Sequence, residues 1–309
     1  GRSSLDTRCL DTQSSGLRRS LHRRSPSGLS PLRIQSAEVL KLRPEDHCVE
    51  TSIGEIPYEY LVLALGSKTN YFGNKEIERN AMSMKTIPQS LNIRSFILEN
   101  FEQAVLTKDE ADRNALMNFV LVGAGPTGVE LAGALAEMKK EILQKDYPDL
   151  DISKMQINLI QSNERVLNTM SEKSSIAAEK FLDNLGVKVW KNVRVTNYDG
   201  RTISTNTDLS IESLTVIWTA GVQGAIVHGL DAKSLVERVE RIRVNRFNQV
   251  NGYENIFALG DIASMETEKF PQGHPMMAQP AMQQGSLLGD NLIKLSQNKP
   301  MKAFEYNDK

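Results

Sequence analysis

The stretch Asn118 to Leu135, NFVLVGAGPTGVELAGAL, constrains the fold more than any other part of the chain. Phe119 to Val122 are all apolar and read as a short buried strand. Gly123, Gly125 and Gly128 follow in G-x-G-x-x-G spacing, and an amphipathic helix comes next. Each glycine has its own physical reason. Gly123 permits a tight turn off the strand, Gly125 lets a pyrophosphate reach the backbone, and Gly128 lets the helix pack closely on the sheet. The unpaired N–H groups at the helix end then meet the phosphates. Gly123, Gly125, Pro126, Thr127 and Gly128 are therefore the expected dinucleotide-binding residues, with a plain glycine-rich turn as the alternative.

The text around this unit extends it. Gln156 to Ile160, QINLI, is a second strand; Glu172 to Leu185 is a helix closed by Gly186; VKVW is a third strand. This β-α-β-α-β order is the mononucleotide-binding half of a doubly wound α/β sheet, a Rossmann-like domain. Ahead of it, AEVLKL, HCVETS and YEYLVLALG read as strands, with a turn at Gly54-Glu55 and Leu61 to Leu65 as a buried parallel strand. Apolar positions from Ile93 to Leu106 recur at helical spacing behind Pro88, whereas Asp109 to Arg113 reads as a charged linker. After it come VRVTNYDGRTIST, SLTVIWTAG, RIRVN and NIFALGD as strand text, and a helix over Met276 to Ser296.

Composition removes several function classes. A net charge of −1 gives no argument for nucleic acid. Two cysteines far apart, Cys9 and Cys48, form no C-x-x-C pair, which argues against a dithiol centre and a structural zinc. The four histidines, His22, His47, His228 and His274, share no metal-ligand spacing and are expected to be solvated, so no metal site is expected. No run of 18 apolar residues is present. Residues 1–36 stand apart, with seven arginines, nine serines, no glutamate and no lysine. Three readings compete there: a transit peptide, a disordered basic arm, or an artefact such as a shifted reading frame joined near Ser36.

Three further stretches act with the glycine loop: Tyr60 to Ser67 (YLVLALGS), Ile256 to Asp261 (IFALGD) and Ala278 to Gly285 (AQPAMQQG). On these motifs the chain from about Ala37 onward resembles the flavoproteins with two dinucleotide-binding domains, and within them the type II NADH:quinone oxidoreductases, which do not pump protons. AQPAMQQ carries the specific part, since it resembles that family's alanine-glutamine quinone motif. The resemblance implies FAD and NADH as cofactor and substrate, with NADPH tolerated, and a quinone as acceptor. It implies a peripheral enzyme on the cytoplasmic face of a bacterial inner membrane, with the mitochondrion as the alternative. Attachment would run through a C-terminal amphipathic segment not found in this sequence; a homodimer is expected and no nucleic-acid partner.

Laid onto single residues, the resemblance makes Asp261 the acceptor for a ribitol hydroxyl of FAD, with Gly260 giving the flavin chain close approach. Gly66, Ala278 and Gln279 complete the FAD contacts. Gly221, in TAGV, lies near the nicotinamide. Gln279 and Gln283 orient a quinone carbonyl by donating hydrogen bonds. Glu130, two residues past Gly128, either stabilises the helix end or assists proton movement toward quinone. Met282 departs from relatives that carry histidine there. Gln161 stands at the end of the second strand, where a carboxylate commonly selects NADH over NADPH. Being uncharged, it predicts weak discrimination, and Arg165 is either a 2′-phosphate contact or solvated.

The expected domains are an anomalous leader (1–36), a partial FAD-binding domain (37–110), an NAD(P)H-binding domain (111–250) and the C-terminal part of the FAD-binding domain (251–309). The family's first glycine loop, for the FAD pyrophosphate, has no counterpart in this sequence, so a fragment is expected. Two alternatives stay open: another FAD-dependent reductase with a ferredoxin or rubredoxin acceptor, or a catalytically inactive nucleotide-binding fragment.

Overall fold

A computed structural model describes residues 33–307. Cys9, His22 and the leader reading of residues 1–36 as far as residue 32 lie outside the described residues; residues 33–36 belong to no helix or strand. The chain divides into two compact units, one running to Tyr58 with Val227–Leu230 added, the other holding Glu59–Ile226 and Asp231–Lys309.

The first unit is an antiparallel meander of β1 (Val39–Arg43), β2 (Cys48–Thr51) and β3 (Gly54–Pro57). The sequence places a turn at Gly54-Glu55; the structure puts the turn two residues earlier, at Ser52-Ile53, and makes Gly54 and Glu55 the start of β3, paired with Thr51 and Glu50. Thr51 explains the shift, because its hydroxyl donates to the Gly54 carbonyl and accepts from the Ile53 N–H, fixing a two-residue turn.

The second unit opens with β4 (Leu61–Leu63) and β5 (Ser67–Thr69), then α1 (Lys75–Asn80), β6 (Met82–Ser83) and α2 (Ile87–Leu106). Only Leu63 of the Leu61–Leu65 run is buried, while Val62 and Leu65 are exposed, a correction to the buried parallel strand expected there. β4 pairs with β17 (Ile256–Ala258) alone, and a sheet of two short strands is too narrow to be covered on both faces. Thr86 opens α2 with a reciprocal capping box to Gln89. Asp109 to Arg113 is not a linker but the start of α3 (Glu110–Leu116). Asp109 caps the Asp112 N–H, and Ala115 and Leu116 are buried, so the acidic text is a helix's first turn.

The central strand β7 (Asn118–Val122) leads into α4 (Pro126–Met138), a wide π turn (Lys139–Leu143) and a last helical turn, α5 (Gln144–Asp146). β8 (Gln156–Ile160), α6 (Glu172–Asn184) and β9 (Lys188–Trp190) follow as expected from the sequence. The antiparallel trio β10 (Val195–Tyr198), β11 (Thr202–Thr205) and β12 (Ser210–Glu212) precedes β13 (Thr215–Trp218). The main sheet runs β6-β13-β7-β8-β9, all parallel. Its side chains alternate by face. Phe119, Leu121, Ile157, Leu159 and Ile217 join a core with Ile93, Ile97 and Phe101 of α2 and Leu135 of α4. Val120, Val122, Ile160 and Trp218 face the other way, onto Val195, Tyr198 and Ile203 of the antiparallel trio. The packing of this sheet thus takes in α2 and β6, ahead of residue 111.

The remainder comprises β14 (Val222–Gly224), β15 (Leu235–Val236), β16 (Arg241–Arg243), β17 (Ile256–Ala258), β18 (Ala263–Ser264) and α7 (Ala278–Ser296). β17 pairs parallel with β4, and β14 pairs antiparallel with β5.

Candidate functional site

The strand order reverses at β7: its helix leads outward to β8, while β13 lies on its other side. Ligands of open α/β sheets bind at such a switch point, beyond the carboxyl ends of the strands. Both strands end there in small residues. Gly123 has φ +105°, and a Cβ on it would stand 2.6 Å from the Ala220 Cα. The Thr219 hydroxyl donates to the carbonyls of Val122 and Gly123, at 3.0 and 2.8 Å. A Cβ at Gly128 would stand 1.9 Å from the Gly123 carbonyl oxygen, whereas Gly125 has open space above it. Gly125 caps α4 without a side-chain bond, so the first N–H groups of the helix are uncapped by side chains. Thr127 is exposed beside them. The open cradle over Gly125 and the uncapped helix end suit a pyrophosphate.

Glu130 is exposed and stands fifth in α4, because the helix opens at Pro126; it lies beyond the first turn, where the dipole acts most strongly. Gln161 is buried. Its amide oxygen accepts from the Ala124 N–H and its amide nitrogen donates to the Arg165 carbonyl, both at 3.3 Å. It therefore braces the glycine loop from the end of β8. The Leu167 N–H donates to the Ala124 carbonyl at 2.8 Å and closes the same loop from below. Arg165 donates to the Asn168 carbonyl.

The second cluster gathers around Asp261. Its Oδ2 accepts from the Ser67 hydroxyl at 2.6 Å and from Lys85 Nζ at 3.5 Å. Its Oδ1 makes no further bond among the described residues, which leaves an acceptor for a sugar hydroxyl. Gly260, at φ +71°, turns the chain against α7, where a Cβ would meet the Ala281 Cβ at 3.3 Å. The Gly260 N–H donates to Gln284 Oε1 at 2.7 Å. Gln284, 1% exposed, and Lys85 carry no sequence signal of their own, and Ser67 enters only as the last residue of YLVLALGS. Gly66 also has φ +71°, at the turn from β4 into β5.

The two clusters are joined by backbone. Ser67 begins β5, β5 pairs with β14 from Thr69↔Val222 to Ser67↔Gly224, and Gly221 precedes β14. The Asn70 N–H donates to the Gly221 carbonyl at 3.0 Å. Gly66, Ser67, Asp261, Gly221 and the Gly123 loop thus form one connected framework.

The glutamines divide. Ala278 and Gln279 are exposed in the first turn of α7. Gln283 is turned to the C-terminal segment instead, where its amide nitrogen donates to the Asn307 carbonyl at 2.9 Å and its oxygen accepts from the Asn307 N–H at 3.1 Å. Asn291, two turns further, makes the same pair of bonds to Lys302. Gln283 is thereby a backbone clamp rather than an unengaged donor.

His274 corrects the expectation of a solvated histidine, being 3% exposed. Phe270, Phe304 and Tyr306 surround its ring, with centroids 4.7, 5.4 and 5.8 Å away. Burial pushes its pKa down, and the charges of Arg241 and Arg246 add to that. Arg241, itself buried, donates to the Ala263 and His274 carbonyls. Burial lowers its pKa too, against the opposing pull of Asp261.

A family model for pyridine nucleotide-disulphide oxidoreductases matches residues 31–285. The chain belongs to the pyridine nucleotide-disulphide oxidoreductase family. Over 265 residues this family member is 35% identical to type II NADH:quinone oxidoreductase Ndh of Mycobacterium tuberculosis, a match covering 82% of the chain and 56% of that protein. It is 31% identical over 265 residues to the type II NADH:quinone oxidoreductase of Haemophilus influenzae, covering 82% and 60%. The chain spans little more than half the length of these curated relatives. In fold it is similar to NDH2 of Plasmodium falciparum solved in complex with NADH, with a TM-score of 0.80 at 18% identity, covering 88% of this chain and 72% of that one. It is also similar to the sulfide:quinone oxidoreductase of Aquifex aeolicus, with a TM-score of 0.67 at 21% identity, covering 85% and 61%. Among the described residues, no group of three or more His, Cys, Asp or Glu side chains could hold a metal, and no helix is long and apolar enough to cross a membrane.

Proposed function

We propose that the protein takes part in hydride transfer from NADH to FAD and two-electron reduction of a quinone, without proton pumping. The observation that carries this reading is the framework just described. A phosphate-ready glycine loop at the strand switch point is tied through Gly221, β14, β5 and Ser67 to a carboxylate with an available oxygen. FAD, when bound, supplies the two-electron chemistry. The chain's own residues supply binding and orientation. Gly123, Gly125, Pro126, Thr127 and Gly128 take the NADH pyrophosphate, and Gly221 lines the nicotinamide end. Asp261 accepts from a ribitol hydroxyl while Ser67 and Lys85 hold its other oxygen in place, and Gly66, Gly260 and Ala278 leave room for the flavin chain. Glu130 moves a proton toward quinone, and Gln279 donates to a quinone carbonyl.

The domain reading is part of the proposal: an NAD(P)H-binding domain over 111–250 set within FAD-binding parts at 37–110 and 251–309. So are peripheral attachment to a membrane surface, on its cytoplasmic face, and homodimer formation. The test is anaerobic mixing of the FAD-loaded protein with NADH, followed by a soluble quinone or a ferredoxin. The expected result is bleaching of flavin absorbance by NADH and its return with quinone but not ferredoxin. Reoxidation by ferredoxin alone would assign the acceptor to the other branch, and no bleaching would mark a nucleotide-binding protein without this activity.

A further inference from the structure

The loop after β5 contains a residue that packing does not explain. Phe72 is 67% exposed and sits at φ +53°, in the left-handed region that bulky side chains avoid. It gains little from burial, and asparagine would occupy the same backbone at lower cost. The surrounding chain nevertheless fixes it there. The Asn70 side-chain oxygen accepts the Phe72 N–H at 2.8 Å. The Asn74 N–H donates to the Tyr71 carbonyl at 3.0 Å, and its side chain donates to the Thr196 carbonyl at 2.8 Å. The ring lies edge-on to Trp218, centroids 6.4 Å apart, and the Trp218 indole N–H donates to the Asn70 carbonyl. Strain held in place by several independent bonds is a mark of function.

The ring's position says what it is for. A side chain at Gly221 would begin 3.0 Å from the Phe72 Cζ, so residue 221 is kept bare beneath the ring. Gly221 directly follows Thr219 and Ala220, the residues that close on Gly123. The ring therefore stands one step from the glycine loop, on the β13 side of the switch point. A dinucleotide lying across such a crevice has its adenosine ribose at the end of the second strand, here β8. Its other end then lies over β13.

We propose that Phe72 is the aromatic wall against which the nicotinamide end of NADH rests. An exposed ring face suits the flat dihydronicotinamide ring of NADH by apolar face contact, the aromatic side chain supplying a large rigid surface. The inference rests on the NADH site of the proposed function, and two ligands separate the two ideas. Calorimetric titration of the purified chain would use NADH and ADP-ribose, which lacks the nicotinamide. Phe72→Ala and Phe72→Asn are expected to weaken NADH about fivefold to tenfold and to leave ADP-ribose within about twofold. Phe72→Tyr should bind both as the unsubstituted protein does. Phe72→Asn, suited to the left-handed backbone, is expected to melt no lower than the unsubstituted protein, so it carries the test if Phe72→Ala does not fold. Unchanged NADH affinity in Phe72→Asn, or equal losses for both ligands, would overturn the proposal. Failure of ADP-ribose to bind the unsubstituted chain would remove the nucleotide site itself, and the proposal with it.

Discussion

The start of α4 and the face of α7 use their polar groups in opposite ways. At α4, the first N–H groups have no side-chain cap and Gly125 has no side chain. At α7, Gln283, Gln284 and Asn291 each bond the chain's own backbone. One region leaves its first N–H groups without a side-chain partner; the other uses its polar groups to hold the Gly260-Asp261 turn and the segment after the helix. Glycine and glutamine counts would not separate these cases. What separates them is whether the partner is solvent-facing or another stretch of the same chain.

The largest expected effect breaks the α4 end itself. Gly128→Ala puts a Cβ onto the Gly123 carbonyl, a backbone atom with nowhere to move. Overpacking of this kind costs about 1–3 kcal/mol or more, and NADH binding should be lost with it. Gly125→Ala meets nothing within 4 Å, so its melting temperature should hold while NADH affinity falls. Equal melting curves for the two variants would dissolve the contrast between packing glycine and ligand glycine.

At α7 the contrast is between neighbours. Gln284→Ala leaves the Gly260 N–H without its acceptor in a part-buried site, at a cost of about 1–3 kcal/mol. Gln283→Ala loosens a half-buried clamp and should cost about 0.5–1.5 kcal/mol. Urea titrations of both variants rank them, and a larger loss for Gln283 would reverse the assignment.

Acid tests the aromatic cage beside α7. With the His274 pKa held below its ordinary value by burial, the unfolded chain binds the proton first. Its contribution to stability is complete above about pH 6.5 and is lost as the pH falls from there toward the folded pKa. Melting temperature should therefore drop on acidification through that window, and less steeply in His274→Phe. Parallel profiles for the two proteins would show that His274 titrates no differently when folded.

The smallest effect is expected at Gln161. Gln161→Glu keeps the acceptor for the Ala124 N–H, loses the bond to the Arg165 carbonyl and adds a charge at the end of β8, where the proposed function puts the adenosine ribose. Rejection of NADPH should rise by a few-fold relative to NADH in binding titrations. If the unsubstituted protein already rejects NADPH as strongly, Gln161 serves the loop alone.

The sequence was most readable where function and fold share a local cause. Strand, glycine turn and helix from Asn118 to Met138 follow from apolar runs and backbone room, and all lie within one short stretch. The Gly186 stop and Pro88 in the first turn of α2 are legible for the same reason. Asp109 was not, because an acidic first turn looks like a linker until its buried Ala115 and Leu116 are seen. His274 was hidden because its cage comes from residues 270, 304 and 306, and no periodicity joins them. Gln284 lost out to Gln283 because one position along a helix turns a side chain by about 100°. Only the placement of Gly260 decides which one faces inward.

One feature of the C-terminal segment bears on how slowly its protons leave. The amides of Lys302, Phe304 and Asn307 donate to Asn291 Oδ1, the Arg246 carbonyl and Gln283 Oε1, at 2.8, 2.6 and 3.1 Å. The segment belongs to no strand, yet side chains of α7 imitate the rungs of a ladder on two of these three. In deuterated water these amides should exchange as a cooperative group, with the opening of a small structural unit rather than of a loose tail. Cutting one rung, at Asn291 or Gln283, should quicken exchange at the other two.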